Sequence, residues 1–159
     1  VNAEGDGLDA NGSFTMTGGD VVVNGPTNDG NGALDVDGDF TVDGGTLLAM
    51  GSAGMAVAPG TASAQGWISA QVSVAAGTQI VVTDSSGAEV ASFTTSKQVA
   101  SVVYAADGIT AGESYTVTPA GGTAVTVTAG EHTGGMGGGG MGGGPGGGAG
   151  GQAPGGGRG

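Results

Sequence analysis

"GDGLDANGSFTMTGG" at residues 5–19 and "GALDVDGDFTVDGG" at residues 32–45 are two versions of one phrase, set 26 residues apart. At that offset Leu8 aligns with Leu34, Asp9 with Asp35, Gly12 with Gly38, Phe14 with Phe40 and Thr15 with Thr41. Eight of the eighteen positions from 8 to 25 are identical. Internal repetition with a period in the twenties is the mark of a solenoid. Each copy is too rich in Gly, Asp and Asn to be helical. Its ordered pieces, residues 14–17, 20–24, 40–43 and 46–50, are β-branched or apolar, and Gly pairs separate them. The spacing therefore predicts short strands and turns wound as a parallel β-helix. Successive windings would lie about 4.8 Å apart, stacking Phe14 on Phe40 and Leu8 on Leu34. Gly18-Gly19 and Gly44-Gly45 would form corners needing positive φ.

Outward from this phrase the composition changes twice. Residues 1–62 are Asp/Asn/Gly-rich and read as the β-helix coils. Residues 63–129 are rich in Thr, Val, Ala and Ser, with alternating apolar positions. Six strand candidates lie there: 68–74, 78–84, 88–94, 99–105, 114–119 and 123–129. Asp84-Ser85-Ser86-Gly87 is a hairpin turn between two of them. This zone is expected to be a small antiparallel, sandwich-like cap on the coils. Residues 130–159 hold 19 glycines in 30 positions, a tail that reads either as flexible coil or as extended polyglycine strands.

The charge narrows the partners. Fourteen acidic and two basic side chains give a net charge of −12. Nucleic acid and anionic membrane surfaces, which require clustered Lys and Arg, are not expected partners. No apolar run reaches the length of a membrane span. There is no Cys, so thiolate chemistry and Cys-based zinc sites are excluded. The composition is that of a protein secreted to a bacterial cell surface, and the opening "VNAEGDG" reads as the start of a mature or truncated piece.

Nine of the fourteen acids fall in the first 43 residues, with no Lys or Arg among them. Stacking the copies brings Asp9 to Asp35 and Asn11 to Asp37, with Asp6 and Asp39 at nearby turns. Carboxylates one rung apart repel. Either they face water as an acidic, solvated surface or a cation lies between them. Calcium, which takes six to eight oxygens, suits this set, and Asp6, Asp9, Asn11, Asp35, Asp37 and Asp39 are its candidate ligands. "DVDGD" at 35–39 resembles the start of an EF-hand loop, but Thr46 stands where that loop needs Glu. Catalysis finds little footing. His132 is the single histidine, Lys97 and Arg158 lie outside the coils, and turn aspartates in water lack the apolar pocket a general acid needs. No enzyme is expected. Trp67, where the zones meet, reads either as a platform for a sugar ring or as a plug at the junction.

The stretch from Gly5 to Ala56, with D-G-L-D-A-N-G and G-P-T-N-D-G-N-G-A-L-D, resembles the C-terminal coils of secreted bacterial "carbohydrate-binding domain-containing" proteins. The resemblance extends to about residue 120, through "DSSGAEVASFT" and "ITAGESYTV". It implies a right-handed parallel β-helix that binds calcium and plant polysaccharides such as cellulose or pectate. It also implies calcium at Asp6, Asp9, Asn11, Asp35 and Asp37. The departure is length, since two coils and a fragment are present where the family has many. The expectation is a non-catalytic, calcium-stabilised polysaccharide-binding or adhesion protein. Its rival is a structural subunit of an extracellular filament, joined through open coil ends and the Gly-rich tail.

Overall fold

The structure, a computed structural model, describes residues 1–132. It is all-β, with ten strands: β1 (Leu8–Ala10), β2 (Phe14–Asn24), β3 (Leu34–Val36), β4 (Phe40–Gly51), β5 (Trp67–Val74), β6 (Gln79–Thr83), β7 (Glu89–Thr94), β8 (Val99–Ala105), β9 (Ser114–Pro119) and β10 (Val125–Thr128). They form three sheets. A central sheet has the order β2-β4-β8-β5, an outer sheet has the order β10-β9-β6-β7, and β1 pairs with β3 alone.

The two copies of the opening phrase lie side by side in parallel. β1 pairs with β3 from Leu8↔Leu34 to Ala10↔Val36, and β2 pairs with β4 from Phe14↔Phe40 to Asn24↔Met50. The Phe14 and Phe40 rings meet edge-on at 5.4 Å. The Thr15 and Thr41 hydroxyls hydrogen-bond at 3.1 Å. The ladder shifts register between Thr17 and Asp20. There Gly19 and Gly45 take φ of 87° and 92°, a left-handed backbone that only glycine adopts without strain.

This parallel pairing does not extend into a solenoid, and the expected right-handed parallel β-helix with a sandwich-like cap is not the fold. The free edge of β4 is taken by β8 running antiparallel, from Leu47↔Ala105 to Gly51↔Ser101. β5 then adds antiparallel to β8. The central sheet is thus mixed, built from both compositional zones. Two features stop the winding. Residues 53–65, where a third coil would run, carry Pro59 and several glycines and form no strand. They meet β4 through scattered hydrogen bonds, among them Gly60 N to Phe40 O, Val42 N to Ser63 Oγ and Gln65 N to Val42 O. Leu47–Met50 is an apolar run on both faces of its strand, and it requires cover on both sides.

That cover is the core. One cluster lies between the central and outer sheets and includes Leu48, Met50, Ile68, Val102, Ile80, Val82, Tyr115 and Val117. A second lies on the opposite face of the central sheet, with Leu47, Ala49, Val103, Ala105, Phe40, Leu34 and Trp67. Neighbouring residues along β4 and β8 alternate between the two, as the two-residue period of a strand dictates. All six strand candidates of the second zone form strands, β5 to β10. The Asp84–Gly87 turn closes β6 onto β7, with Gly87 at φ 85°. The Gly-rich tail lies outside the described residues, apart from residues 130–132. No helix among the described residues is long and apolar enough to cross a membrane.

Candidate functional site

The acidic residues divide into those that join windings and those that face outward. Asp6 Oδ1 accepts a hydrogen bond from Gly32 N at 2.8 Å. Asp29 Oδ1 accepts from Gly54 N, and Asp43 Oδ1 from Ala64 N. Each carboxylate thus satisfies a backbone donor of the next layer, which an apolar side chain could not do. Part of the Asp-richness of this chain is therefore architectural.

Asp9 and Asp35 are direct partners in the parallel β1–β3 ladder. Asp35 is half-buried and Asp9 exposed. Burial, with the negative charges of Asp6, Asp9 and Asp37 behind it, pushes the Asp35 carboxyl above the usual carboxylate range. The structure thus gathers Asp6, Asp9, Asp35 and Asp37 into one electrostatic neighbourhood. Asn11, Asp37 and Asp39 are exposed in the turns that follow β1 and β3. No group of three or more His, Asp or Glu side chains arranged to hold a metal occurs among the described residues. A cation at Asp9 and Asp35 would complete its shell with carbonyl oxygens and water, as calcium readily does.

Beside this neighbourhood lies a cleft of about 600 Å³. Asp35, Asp37 and Asp39 line it together with Met55 and Val57, which supply apolar surface, while Phe40 borders it from the core at 4 % exposure. The three aspartates share it because the turn that follows β3 keeps residues 35–40 together along its rim. Met55 is an exposed large apolar side chain. The apolar wall was not legible in sequence: residues 53–60, "AGMAVAPG", have no period and read as the remnant of a coil. Its only signal is apolar residues held between Gly and Pro.

Trp67 also lines the cleft but is 3 % exposed, packed in the second core. Its indole N–H points to Gly60 O at 3.4 Å. The ring plugs the junction and leaves no open face for a sugar to stack on. His132 reaches the same cleft. Its Nδ1 is 2.9 Å from Ser69 Oγ, and its Nε2 is buried with no partner among the described residues. Burial lowers its pKa, so the ring is neutral at pH 7.

Taken together, the site offers carboxylate acceptors beside apolar side chains in one cleft. Comparison with protein-family models, with curated proteins and with solved structures finds no match to this chain.

Proposed function

We propose that the chain is a non-catalytic polysaccharide-binding module of a secreted, cell-surface adhesion protein. The observation that carries this is the cleft itself, where Asp35, Asp37 and Asp39 share the lining with Met55 and Val57. Sugars present two kinds of surface, hydroxyl groups and patches of C–H. Carboxylates are the strongest neutral-pH acceptors for the first, and apolar side chains cover the second. With a net charge of −12, direct binding favours a neutral glycan such as cellulose. A pectate-like chain would need calcium as a bridge, with Asp9 and Asp35 as the protein's share of the shell.

Retention on insoluble cellulose and on pectate gel, with calcium and with chelator, tests this. Binding to cellulose is expected under both conditions, and to pectate only with calcium. Asp37→Asn is expected to weaken binding by about 1 kcal/mol, roughly fivefold. No retention on either polymer removes the proposal. Equal stabilisation by calcium chloride and sodium chloride at matched ionic strength, read by thermal melting, removes calcium from it.

A second reading rests on β2. It is an edge strand of eleven residues, and Val1–Ala3 cover only its far end, around Val22 and Asn24. From Phe14 to Val21 the outer edge has no strand partner among the described residues. It contains no Lys or Pro, and its guards are the glycine irregularity and Asp20. A filament subunit would use such an edge to recruit another copy. Concentration-dependent assembly in sedimentation and negative-stain images would support that role. A monomer at all concentrations would exclude it.

A further inference from the structure

Three Asn-Gly pairs occur in the chain, at 11–12, 24–25 and 31–32. Such pairs are prone to intramolecular deamidation, because glycine puts no side chain in the way of the attack. The backbone nitrogen of the glycine attacks the Asn side-chain carbonyl carbon. A five-membered imide forms, the C–N bond to the side-chain amide breaks, and the glycine N–H proton leaves with the departing group as ammonia. Water then opens the imide at either carbonyl, giving aspartate or isoaspartate. The reaction needs the glycine N–H free to ionise and the local backbone free to turn.

Two of the three pairs lack that freedom. Gly25 N donates to Met50 O at 2.8 Å across the parallel ladder. Gly32 N, in a buried position, donates to the Asp6 carboxylate at 2.8 Å. At the third pair Asn11 and Gly12 are both exposed, in the three-residue connection between β1 and β2. Gly12 N makes no hydrogen bond among the described residues.

The cause is the direction of the stack. The equivalent turn of the second copy, residues 37–39, donates its amides to the first: Asp37 N to Ala10 O, Gly38 N to Gly12 O and Asp39 N to Ser13 Oγ. Among the described residues nothing accepts the amides of the first copy's own turn, Asn11 to Ser13. The same tripeptide position is therefore locked in one copy and free in the other. A side chain on Gly38 would strike the Gly12–Ser13 backbone, whereas one on Gly12 would meet open space.

We propose that Asn11 is a site of spontaneous deamidation, and that the fold protects Asn24 and Asn31. Conversion places a new carboxylate beside Asp37, in the register set by Ala10↔Val36. The first copy then carries the D-x-D spacing already present at Asp35 and Asp37. The isoaspartate product also inserts a methylene into the backbone next to Gly12, whose carbonyl accepts from Gly38.

Peptide mapping of the full chain, aged in mildly alkaline buffer, tests this. A gain of one mass unit is expected in the peptide holding Asn11, at least about tenfold faster than at Asn24 or Asn31, whose amides must first open locally. In denaturant the three sites are expected to convert at similar rates, which isolates the contribution of the fold. Asn11→Gln should abolish the early product. Conversion of Asn24 or Asn31 as fast as Asn11 in the native protein would overturn the proposal, as would an unchanged Asn11 in a chain that converts there when unfolded.

Discussion

Asp35 and Asp84 pull the pH dependence in opposite directions. Asp35 is pushed above its ordinary value of 3.8 by burial and by the charges of Asp6, Asp9 and Asp37. The folded chain therefore takes up this proton more readily than the unfolded one, and stability rises as pH falls from neutrality through the raised value. Asp84 is held below 3.8 by the Ser86 hydroxyl first and the Ala88 N–H second. Its favourable contribution is present above 3.8 and is lost as pH falls through its lowered value. Thermal melts are therefore expected to show a maximum in mild acid rather than at pH 7. Asp35→Asn is expected to raise stability at pH 7 by about 0.2–1 kcal/mol, the size of a like-charge pair across strands. It should also flatten the rise on mild acidification. A variant that melts earlier at pH 7 would mean that the Asp35 carboxylate has a stabilising partner, such as a bound cation.

The strands show which features a sequence reveals. The offset of 26 was legible because identical residues in register are what parallel pairing needs, and Phe14↔Phe40 and Asp9↔Asp35 are paired. β5 to β10 were legible from their alternating side chains. The neighbour of β4 was not. Leu47–Met50 is apolar on both faces, and such a run reads the same beside a parallel or an antiparallel strand. The carboxylate side of the cleft was legible as an acid cluster. Its apolar wall was not, because residues 53–60 carry no period. The glycine bulge allows a test at this scale. A methyl group on Gly45 would run into the Gly19 carbonyl oxygen, while one on Gly19 would meet open space. Both have positive φ, so both Ala variants lose about 1–2 kcal/mol to backbone strain. Gly45→Ala is expected to lose more, from the clash with the winding above. Equal losses in chemical denaturation would mean that the β2 winding shifts to make room.

At the scale of the molecule, the one lysine joins distant parts of the chain. Lys97, in the turn between β7 and β8, donates to Ala3 O at 2.6 Å and to Glu4 Oε1 at 2.8 Å. The Glu4 side chain is 88 % exposed, so the ion pair itself contributes little. The bond to the Ala3 carbonyl is the part that matters, because it holds Val1–Ala3 against Val22 and Asn24. Lys97→Met is expected to speed amide exchange at Ala3 and Asn24, with a global loss of about 1 kcal/mol. Unchanged exchange would mean that Val1–Ala3 hold β2 unaided. The Glu4→Gln variant, in contrast, should behave as the parent protein.

The two ends of the described chain meet opposite borders of one sheet. Val1–Ala3 lie along β2, and Gly130 N donates to Trp67 O at the start of β5. Tension applied between those ends would first fall on the few hydrogen bonds that hold Val1–Ala3 to β2 and Gly130 to Trp67, and then on β10, the border strand of the outer sheet. Peeling β10 from β9 would come before the central sheet, gripped by a core on each face, gives way, so a force trap should record a small early step and then one abrupt rupture.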